Sequence, residues 1–404
     1  MPGTAAVAPV QTDSTSPTSP FIVRHADWLL PCLVFLAVRV IGLAVLARFA
    51  QLRGMNLGNA LAAWDGKWML AIAENGYAGV PVSQTDARGI HLTETAYAFF
   101  PGYPYLVRLL DKLPFVTAYG AAIAINVVLG CVAAAGAARL AAFCARTMSA
   151  RSDEATSPDP TRVGLILTVL FAAAPMGIVL SMAYTEALFC ALAVWALIGV
   201  VEHRWLLAGC CAGLVGLTRP TAIVVVGVVM LAALIARRDS PRAWAAIALS
   251  PLGYLGYLGY VWAKTDSPTG WFRIQTEGWG TQFDWGAATY TFINDSLLNS
   301  GEIAPVATSW IIIATIGLVV VAVWNRLPWP VLVYGILVVA SIVLSSGLMM
   351  SRARLLLPAF VLLIPVAYAI ARWRTSHAVA TLLVIVVGSS WFGAHMLTVY
   401  PHAV

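Results

Sequence analysis

The sequence predicts an all-α polytopic membrane protein, a bundle of about eleven transmembrane helices with two long loops on one face. Three observations carry that expectation. Of 404 residues, 60% are hydrophobic and only 10% are charged, against roughly 25% charged in soluble domains. Mean hydropathy is +0.83. Apolar runs of about 18 or more residues, the length that crosses a bilayer, recur along the chain. The alternating pattern of an outer-membrane barrel is absent.

Residues 1–23 are rich in Pro, Ser and Thr, a composition that predicts a disordered cytoplasmic tail. No basic n-region, apolar h-region and cleavage site follow one another there, so no signal peptide is read and the first span serves as insertion signal. Residues 24–404 then form a single transmembrane domain. The expected spans are about 28–50, 115–145, 162–182, 186–202, 205–218, 220–236, 243–263, 305–325, 329–349, 355–371 and 377–397. The span at 205–218 is short and Gly-rich, and with its successor it reads as a hairpin that only partly crosses.

With the N-terminus inside, the short inner connections carry Arg146, Arg151, Arg162, Arg204, Arg237, Arg238, Arg242, Arg326, Arg372 and Arg374, as the positive-inside rule asks. The outer face receives the long loops, about 51–114 and 264–304. It also receives three tight turns, at Tyr184-Thr185-Glu186, Thr218-Arg219-Pro220 and Ser351-Arg352-Ala353-Arg354. Eleven of the eighteen acids fall on that face, and none is expected to be buried mid-helix. A proton-coupled carrier needs intramembrane carboxylates, so this placement speaks against one.

The net charge of +6 is carried by Arg, since Lys occurs only at Lys67, Lys112 and Lys264. There is no soluble basic domain to hold a nucleic acid. The six Cys (Cys32, Cys131, Cys144, Cys190, Cys210, Cys211) lie in or at the edges of apolar runs, which implies neither a disulfide framework nor a metal knuckle. No nucleotide cradle, D-x-D pair or H-E-x-x-H is present, so a water-soluble activated donor and a metal-ligand set are not read, and no cofactor is named.

The chemistry-bearing residues collect on the outer face. In Trp64-Asp65-Gly66-Lys67-Trp68 the two Trp are four apart, a spacing that puts them on one helical face with Asp65 beside it at the lipid–water boundary. That pattern fits an amphipathic interface helix with an incidental Asp. It equally fits a carboxylate base with an aromatic wall for a sugar or lipid head. Arg219, Arg352 and Arg354 sit at outer turns, where a cation costs on the order of 3 kcal/mol at membrane depth. A phosphate held by two charge-assisted bonds offsets that cost, as does an ion pair with an outer acid such as Glu186. Arg39, mid-span, reads as snorkelling or hydrogen-bonded within the bundle, with contact to a lipid phosphate as the alternative. Around Arg273, Gln275 and Trp279 the second loop mixes rings, an amide and a cation, which suits carbohydrate and also suits any interface loop.

An ordered set of short motifs resembles the PIG-V-like mannosyltransferases, relatives of the enzyme that adds the second mannose in glycosylphosphatidylinositol-anchor synthesis. They belong to the GT-C superfamily of polyprenyl-phosphate-sugar-dependent glycosyltransferases. The pieces are Trp64-Asp65, Gly76-Tyr77, Ala98-Phe99-Phe100-Pro101-Gly102-Tyr103-Pro104, Tyr184-Thr185-Glu186, Thr218-Arg219, Gln275 to Trp279-Gly280, and Arg354 with Pro358. They run in order from about residue 30 to 371. The resemblance implies a GT-C-like bundle with Asp65 as catalytic base. Arg219, Arg352, Arg354 and Lys67 would bind the donor phosphate. Trp64, Tyr77, Tyr103, Glu186, Arg273, Gln275 and Trp279 would bind sugar.

The implied donor is a sugar, mannose by the family, on a polyprenyl phosphate. The acceptor is a lipid, glycan or glycoconjugate hydroxyl on the extracytoplasmic side, and the product is inverted at the anomeric carbon. The Ala- and Arg-rich, Lys-poor composition is that of a high-GC bacterium, whose inner membrane would hold the chain, so the eukaryotic acceptor is not carried over. A multi-pass lipid or solute transporter, or a membrane scaffold, would share the spans but not the ordered motifs.

Overall fold

The computed structural model describes residues 21–151, 157–238 and 240–400. Most of the expected disordered tail, residues 1–20, lies outside them. Residues 21–23, read from the sequence as tail, are already helical.

Long apolar runs need every backbone group paired within the segment, and helices satisfy that need. Among the described residues the helices are α1 (Phe21–Leu52), α2 (Leu57–Leu61), α3 (Asp65–Asn75), α4 (Gly102–Asp111), α5 (Ala118–Ser149), α6 (Pro160–Ala172), α7 (Glu186–Val201), α8 (Trp205–Val215) and α9 (Ala222–Ala236). They continue as α10 (Pro241–Leu249), α11 (Leu252–Thr265), α12 (Gly270–Trp279), α13 (Ala287–Asn299), α14 (Ile303–Trp324), α15 (Trp329–Val343), α16 (Arg352–Leu355), α17 (Ile364–Ala371) and α18 (Thr375–Thr398). The described residues contain no strand, only a single bridge between Phe283 and Ser345.

The starts are set by local chemistry. Asn56 caps α2 by accepting from the Gly58 and Asn59 amides, and Thr117 caps α5 by accepting from Gly120. Asp159 followed by Pro160 opens α6, the side chain accepting from Thr161 and Arg162 while proline gives up an amide that has no helical partner there.

Every expected span coincides with one or two helices, but the lengths differ from a row of straight crossings. Among the described residues four helices are long and apolar enough to cross alone: α1 over Asp27–Leu52, α5, α14 and α18. A fifth crossing arises if Met349–Leu355 and Leu357–Ala371, bent by 51°, count as one. Helices α6, α7, α8, α9 and α15 hold 13, 16, 11, 15 and 15 residues. At ~1.5 Å per residue they extend about 16–24 Å, less than the ~30 Å hydrocarbon layer. The run expected at 162–182 breaks at Ala173, and the one at 243–263 breaks at Ser250-Pro251 between α10 and α11. Leu357–Leu363 is a 3-10 helix.

The break after α6 explains Arg39. Its guanidinium is buried and donates to the carbonyl of Ala172 at 2.5 Å and to that of Gly177. The Ala172 carbonyl is left open where α6 stops, and Gly177 begins the 3-10 helix that follows. The residue is therefore hydrogen-bonded within the bundle, one of the readings its sequence position allowed.

The two long loops fold onto each other. The Gln275 amide donates to the Ala98 carbonyl at 3.0 Å, the Ala87 amide donates to Gly278 at 3.1 Å, and Arg273 pairs with Glu94 at 2.8 Å. Across the same junction Trp68 stacks on Phe99, and Trp279 meets both rings edge-on. Asp86 is buried in it. Burial alone would raise its carboxyl pKa, but the Ile90 amide together with the Arg88 side chain and amide outweighs burial and holds it below the usual Asp value. Beneath the first loop, Met69, Tyr103, Ala122, Ile125, Ala183 and Leu188 form a small core of their own.

Candidate active site

Three turns that are far apart in sequence meet at the mouth of the bundle. The first is the start of α3. The chain enters through Trp64 at φ +54°, so the helix begins at Asp65. A carboxylate in a first turn faces the positive end of the helix dipole. This geometry corrects the expectation that Trp64 and Trp68 share a helical face. Trp64 lies outside the helix and is 37% exposed, while Trp68 is buried.

The second turn is Met182–Thr185, ahead of α7. Asn126 on α5 is fully buried and donates its side-chain amide to the carbonyls of Met182 and, at 3.1 Å, Tyr184. The Ala183 amide donates to Leu61 at 2.9 Å. Glu186 follows as the first residue of α7 and is 0% exposed. The sequence reading placed it at an outer turn, with no acid buried mid-helix, and Glu186 does stand at the turn as the first residue of its helix. What the structure adds is its burial: the carboxylate is enclosed, and its partners are cations.

The third turn precedes α9. Arg219 Nη2 stands 2.7 Å from Glu186 Oε1 and 2.6 Å from Thr185 Oγ1. The turn is positioned by the Phe99-Phe100-Pro101-Gly102-Tyr103-Pro104 motif. The Gly102 amide donates to the Leu217 carbonyl at 2.7 Å, and a Cβ on Gly102 would lie 2.8 Å from that oxygen. Only glycine allows so close an approach.

Arg354, on α16, joins the turns. Its Nη2 lies 2.5 Å from Asp65 Oδ2, and its Nη1 lies 3.4 Å from Glu186 Oε1. The result is a chain of alternating charge, Asp65–Arg354–Glu186–Arg219, whose formal charges cancel. Such pairing is what allows ions to be buried at all. Tyr184 underlies the Arg354 guanidinium at 5.0 Å, and Phe189 underlies that of Arg219 at 5.4 Å, so ring faces add to the stabilisation of both cations. Within the chain only Asp65 is substantially open, its side chain 30% exposed against 9% for Arg354 and 0% for Glu186. The arrangement offers one accessible carboxylate backed by two cations.

The other expected residues lie elsewhere. Arg352 points away and donates to the carbonyls of Ser345 and, at 3.2 Å, Ser346, beneath the Phe283–Ser345 bridge. Lys67 is exposed in the first turn of α3. Tyr103 is fully buried with its hydroxyl on the Ala122 carbonyl at 3.2 Å. The Tyr77 hydroxyl donates to Phe99 at 2.7 Å within a cluster that includes Tyr97, Tyr105, Tyr257 and Tyr260. Burial raises its pKa and keeps it protonated. Arg273, Gln275 and Trp279 join the two loops and make no hydrogen bond or ion pair with the charged chain.

Sequence reasoning missed Asn126, and it singled out the Tyr184-Thr185-Glu186 turn without giving Tyr184 or Thr185 a part in the site. Asn126 had left a signal, a lone amide in an Ala- and Val-rich span, which in a membrane marks a group with a partner.

The fold has a solved counterpart. ArnT from Cupriavidus metallidurans, crystallised bound to undecaprenyl phosphate, superposes with a TM-score of 0.52 at 13% identity over 87% of this chain. The chain spans 62% of the length of that structure. At such identity the likeness concerns the fold, the GT-C membrane bundle expected above. Comparison with curated proteins finds no match. The model of glycosyltransferase family 87 matches residues 100–351, which take in Glu186 and Arg219 and leave Asp65, Arg352 and Arg354 outside. The motif resemblance pointed to PIG-V-like enzymes, and the matching model shares with it the glycosyltransferase character. Since the match covers well over half of the sequence, the chain belongs to glycosyltransferase family 87.

Proposed function

We propose that this protein transfers a sugar from a polyprenyl-phosphate carrier to a hydroxyl of a lipid, glycan or glycoconjugate at the extracytoplasmic face of the membrane. The observation that carries the proposal is the Asp65–Arg354–Glu186–Arg219 chain, with Asp65 at its open end. The N-terminus is cytoplasmic in this reading and the α3 end of the bundle faces outward. Residues 24–404 act as one catalytic domain. A polyprenyl-phosphate carrier is also in keeping with the undecaprenyl phosphate bound to the structural relative.

Asp65 accepts the proton of the acceptor hydroxyl as its oxygen attacks the anomeric carbon. The bond from that carbon to the phosphate oxygen breaks, and the electron pair leaves with the phosphate. The phosphate needs no general acid, so one carboxylate suffices, unlike the pair used by most glycosidases. Direct displacement inverts the anomeric centre. Arg354 stabilises the departing phosphate, with Arg219 behind it and exposed Lys67 near the entrance. Arg352, whose Nη2 is taken up by the Ser345 and Ser346 carbonyls, would reach the phosphate through its other nitrogens or after that segment moves. Since Arg354 already holds Asp65, an arriving phosphate competes for the guanidinium and releases the carboxylate to act as base.

Mannose is the sugar proposed from the motif resemblance. Membranes containing the protein should transfer radiolabelled mannose from a polyprenyl-phosphate donor to an extractable acceptor, and a transporter or scaffold should not. Failure with mannose but transfer from another polyprenyl-phosphate sugar overturns the sugar assignment alone. Failure with every such donor overturns the reaction class.

A further inference from the structure

The proposed reaction gives no task to the hydroxyl of Tyr184. The side chain is buried and held from several sides. Arg354 lies over the ring face at 5.0 Å. The ring edge packs against the first turn of α3, where a Cβ on Gly66 would stand 3.4 Å from Tyr184 Cε1. Asn126 holds the Tyr184 carbonyl at 3.1 Å. The Asp65 amide is directed at the phenolic oxygen, yet among the described residues that hydroxyl closes no hydrogen bond.

Other tyrosines in this chain behave differently. Tyr103 and Tyr334 are as deeply buried, and their hydroxyls donate to the carbonyls of Ala122 at 3.2 Å and Pro358 at 3.0 Å. A buried hydroxyl without an acceptor costs stability. The cation above the ring does not require it either. Phe189 sets its ring under Arg219 at 5.4 Å with no hydroxyl at all, so a phenylalanine would serve Arg354 as well. What the tyrosine adds is a donor beside Asp65, idle while Arg354 holds the carboxylate at 2.5 Å.

We infer that Tyr184 is a positioning residue for Asp65: when the donor phosphate draws Arg354 away, the Tyr184 hydroxyl donates to one carboxylate oxygen and keeps the other aimed at the acceptor hydroxyl. The inference rests on the reading of Asp65 as the base. Once released, a carboxylate whose side chain is 30% exposed is free to swing into solvent. A base has to stay within hydrogen-bond reach of the proton it takes, and small misplacements slow a reaction severely. The charged neighbours do not supply that hold. Glu186 accepts hydrogen bonds as Asp65 does, and Arg219 is engaged by Glu186 at 2.7 Å and by Thr185 at 2.6 Å. Lys67 sits two positions along α3, a spacing that does not face Asp65. A phenol donating to a carboxylate makes a charge-assisted bond. The phenol keeps its own proton, and the proton of the acceptor goes to the free oxygen of Asp65.

The test measures transfer from a radiolabelled polyprenyl-phosphate sugar by the full chain in membranes, with unfolding followed in detergent. Tyr184→Phe should lower kcat about 10–100-fold, the worth of a hydrogen bond to a charged group, and should change the donor KM by less than about twofold. It should unfold no earlier than wild type, because the ring stays and the hydroxyl had no acceptor. In an Asp65→Asn background, read over long incubations, the same substitution should cost less than about twofold, since the hydroxyl acts through the base. Undiminished kcat in Tyr184→Phe overturns the inference. So does an equal fold-loss in both backgrounds, which puts the hydroxyl to work on something other than Asp65. Earlier unfolding gives the hydroxyl a structural acceptor and also overturns it. Near-wild-type transfer by Asp65→Asn removes the base reading itself, whereas a strongly impaired Asp65→Asn beside an unimpaired Tyr184→Phe removes only the role of Tyr184.

Discussion

Arg354 bonds to Asp65 at 2.5 Å through one nitrogen and reaches Glu186 at 3.4 Å through another, across 289 and 168 residues of sequence. One guanidinium thus connects the open rim of the site to its sealed floor. Arg352, two residues earlier, joins neither acid. In the last turn before Leu357, the direction of the side chain separates a site residue from a structural one.

Under the proposed function Asp65 is the base. Asp65→Asn should reduce sugar transfer by about 10²–10⁴, the usual worth of a positioned base, with little effect on folding because the side chain is partly open. Near-wild-type transfer by a folded Asp65→Asn protein removes the base assignment.

Glu186 and Arg219 form a buried pair, and removing one partner strands the other. Glu186→Ala and Arg219→Ala should each destabilise the protein by about 3–5 kcal/mol. Glu186→Gln/Arg219→Met should recover a large part of that loss. Unfolding in detergent, run as a double-mutant cycle, measures the coupling. Additive losses contradict a direct pair.

Gly102 approaches the Leu217 carbonyl too closely for any side chain. Gly102→Ala should cost about 1–3 kcal/mol through overpacking and should displace Arg219 with the turn. Transfer activity should therefore fall at temperatures where the variant is still folded. Unchanged stability and rate speak against that contact.

Asn126 donates to two carbonyls of the Met182–Thr185 turn. Asn126→Ala leaves buried acceptors unpaired, at about 1–3 kcal/mol for a group left open. The turn carrying Tyr184 and Glu186 should loosen, giving faster hydrogen exchange at the Ala183 amide. An unchanged exchange rate excludes the clamp.

Asp86 gives the loop junction a pH dependence. Its pKa is lower folded than unfolded, so its contribution is complete above the ordinary Asp value near 3.9 and is lost as pH falls below it. Acid should therefore release the two loops, seen as faster exchange of the Ala87 amide, which donates to Gly278. Asp86→Asn should flatten that response. A pH profile identical to wild type assigns the effect to other groups.

Much of the architecture was legible because the bilayer imposes it. A chain with 10% charge and repeated apolar runs has helices as its only way to pair its backbone in lipid. The apolar helices fell where hydropathy put the runs. Break points were less legible. The end of α6 at Ala172 goes with a carbonyl taken up by Arg39, a residue on another helix. Local propensity carries no trace of such a partner. Trp64 shows the same limit: its spacing to Trp68 fits one helical face, but the backbone turns left-handed at Trp64 and starts the helix one residue later.

The sequence by itself determined the membrane class, the crowding of acids and Arg at a few turns, and the motifs that single out Asp65, because composition and short spacing are local properties. Only the tertiary structure decided which of those charges meet. Glu186 was legible as an acid at a turn, but its complete burial and its two cationic partners depend on α7, α9 and α16 converging. The Phe-Phe-Pro-Gly-Tyr-Pro motif was legible as a signature, yet its work is a backbone contact between Gly102 and Leu217. Pairings of this kind are set by packing between distant segments, and a one-dimensional pattern does not carry that information.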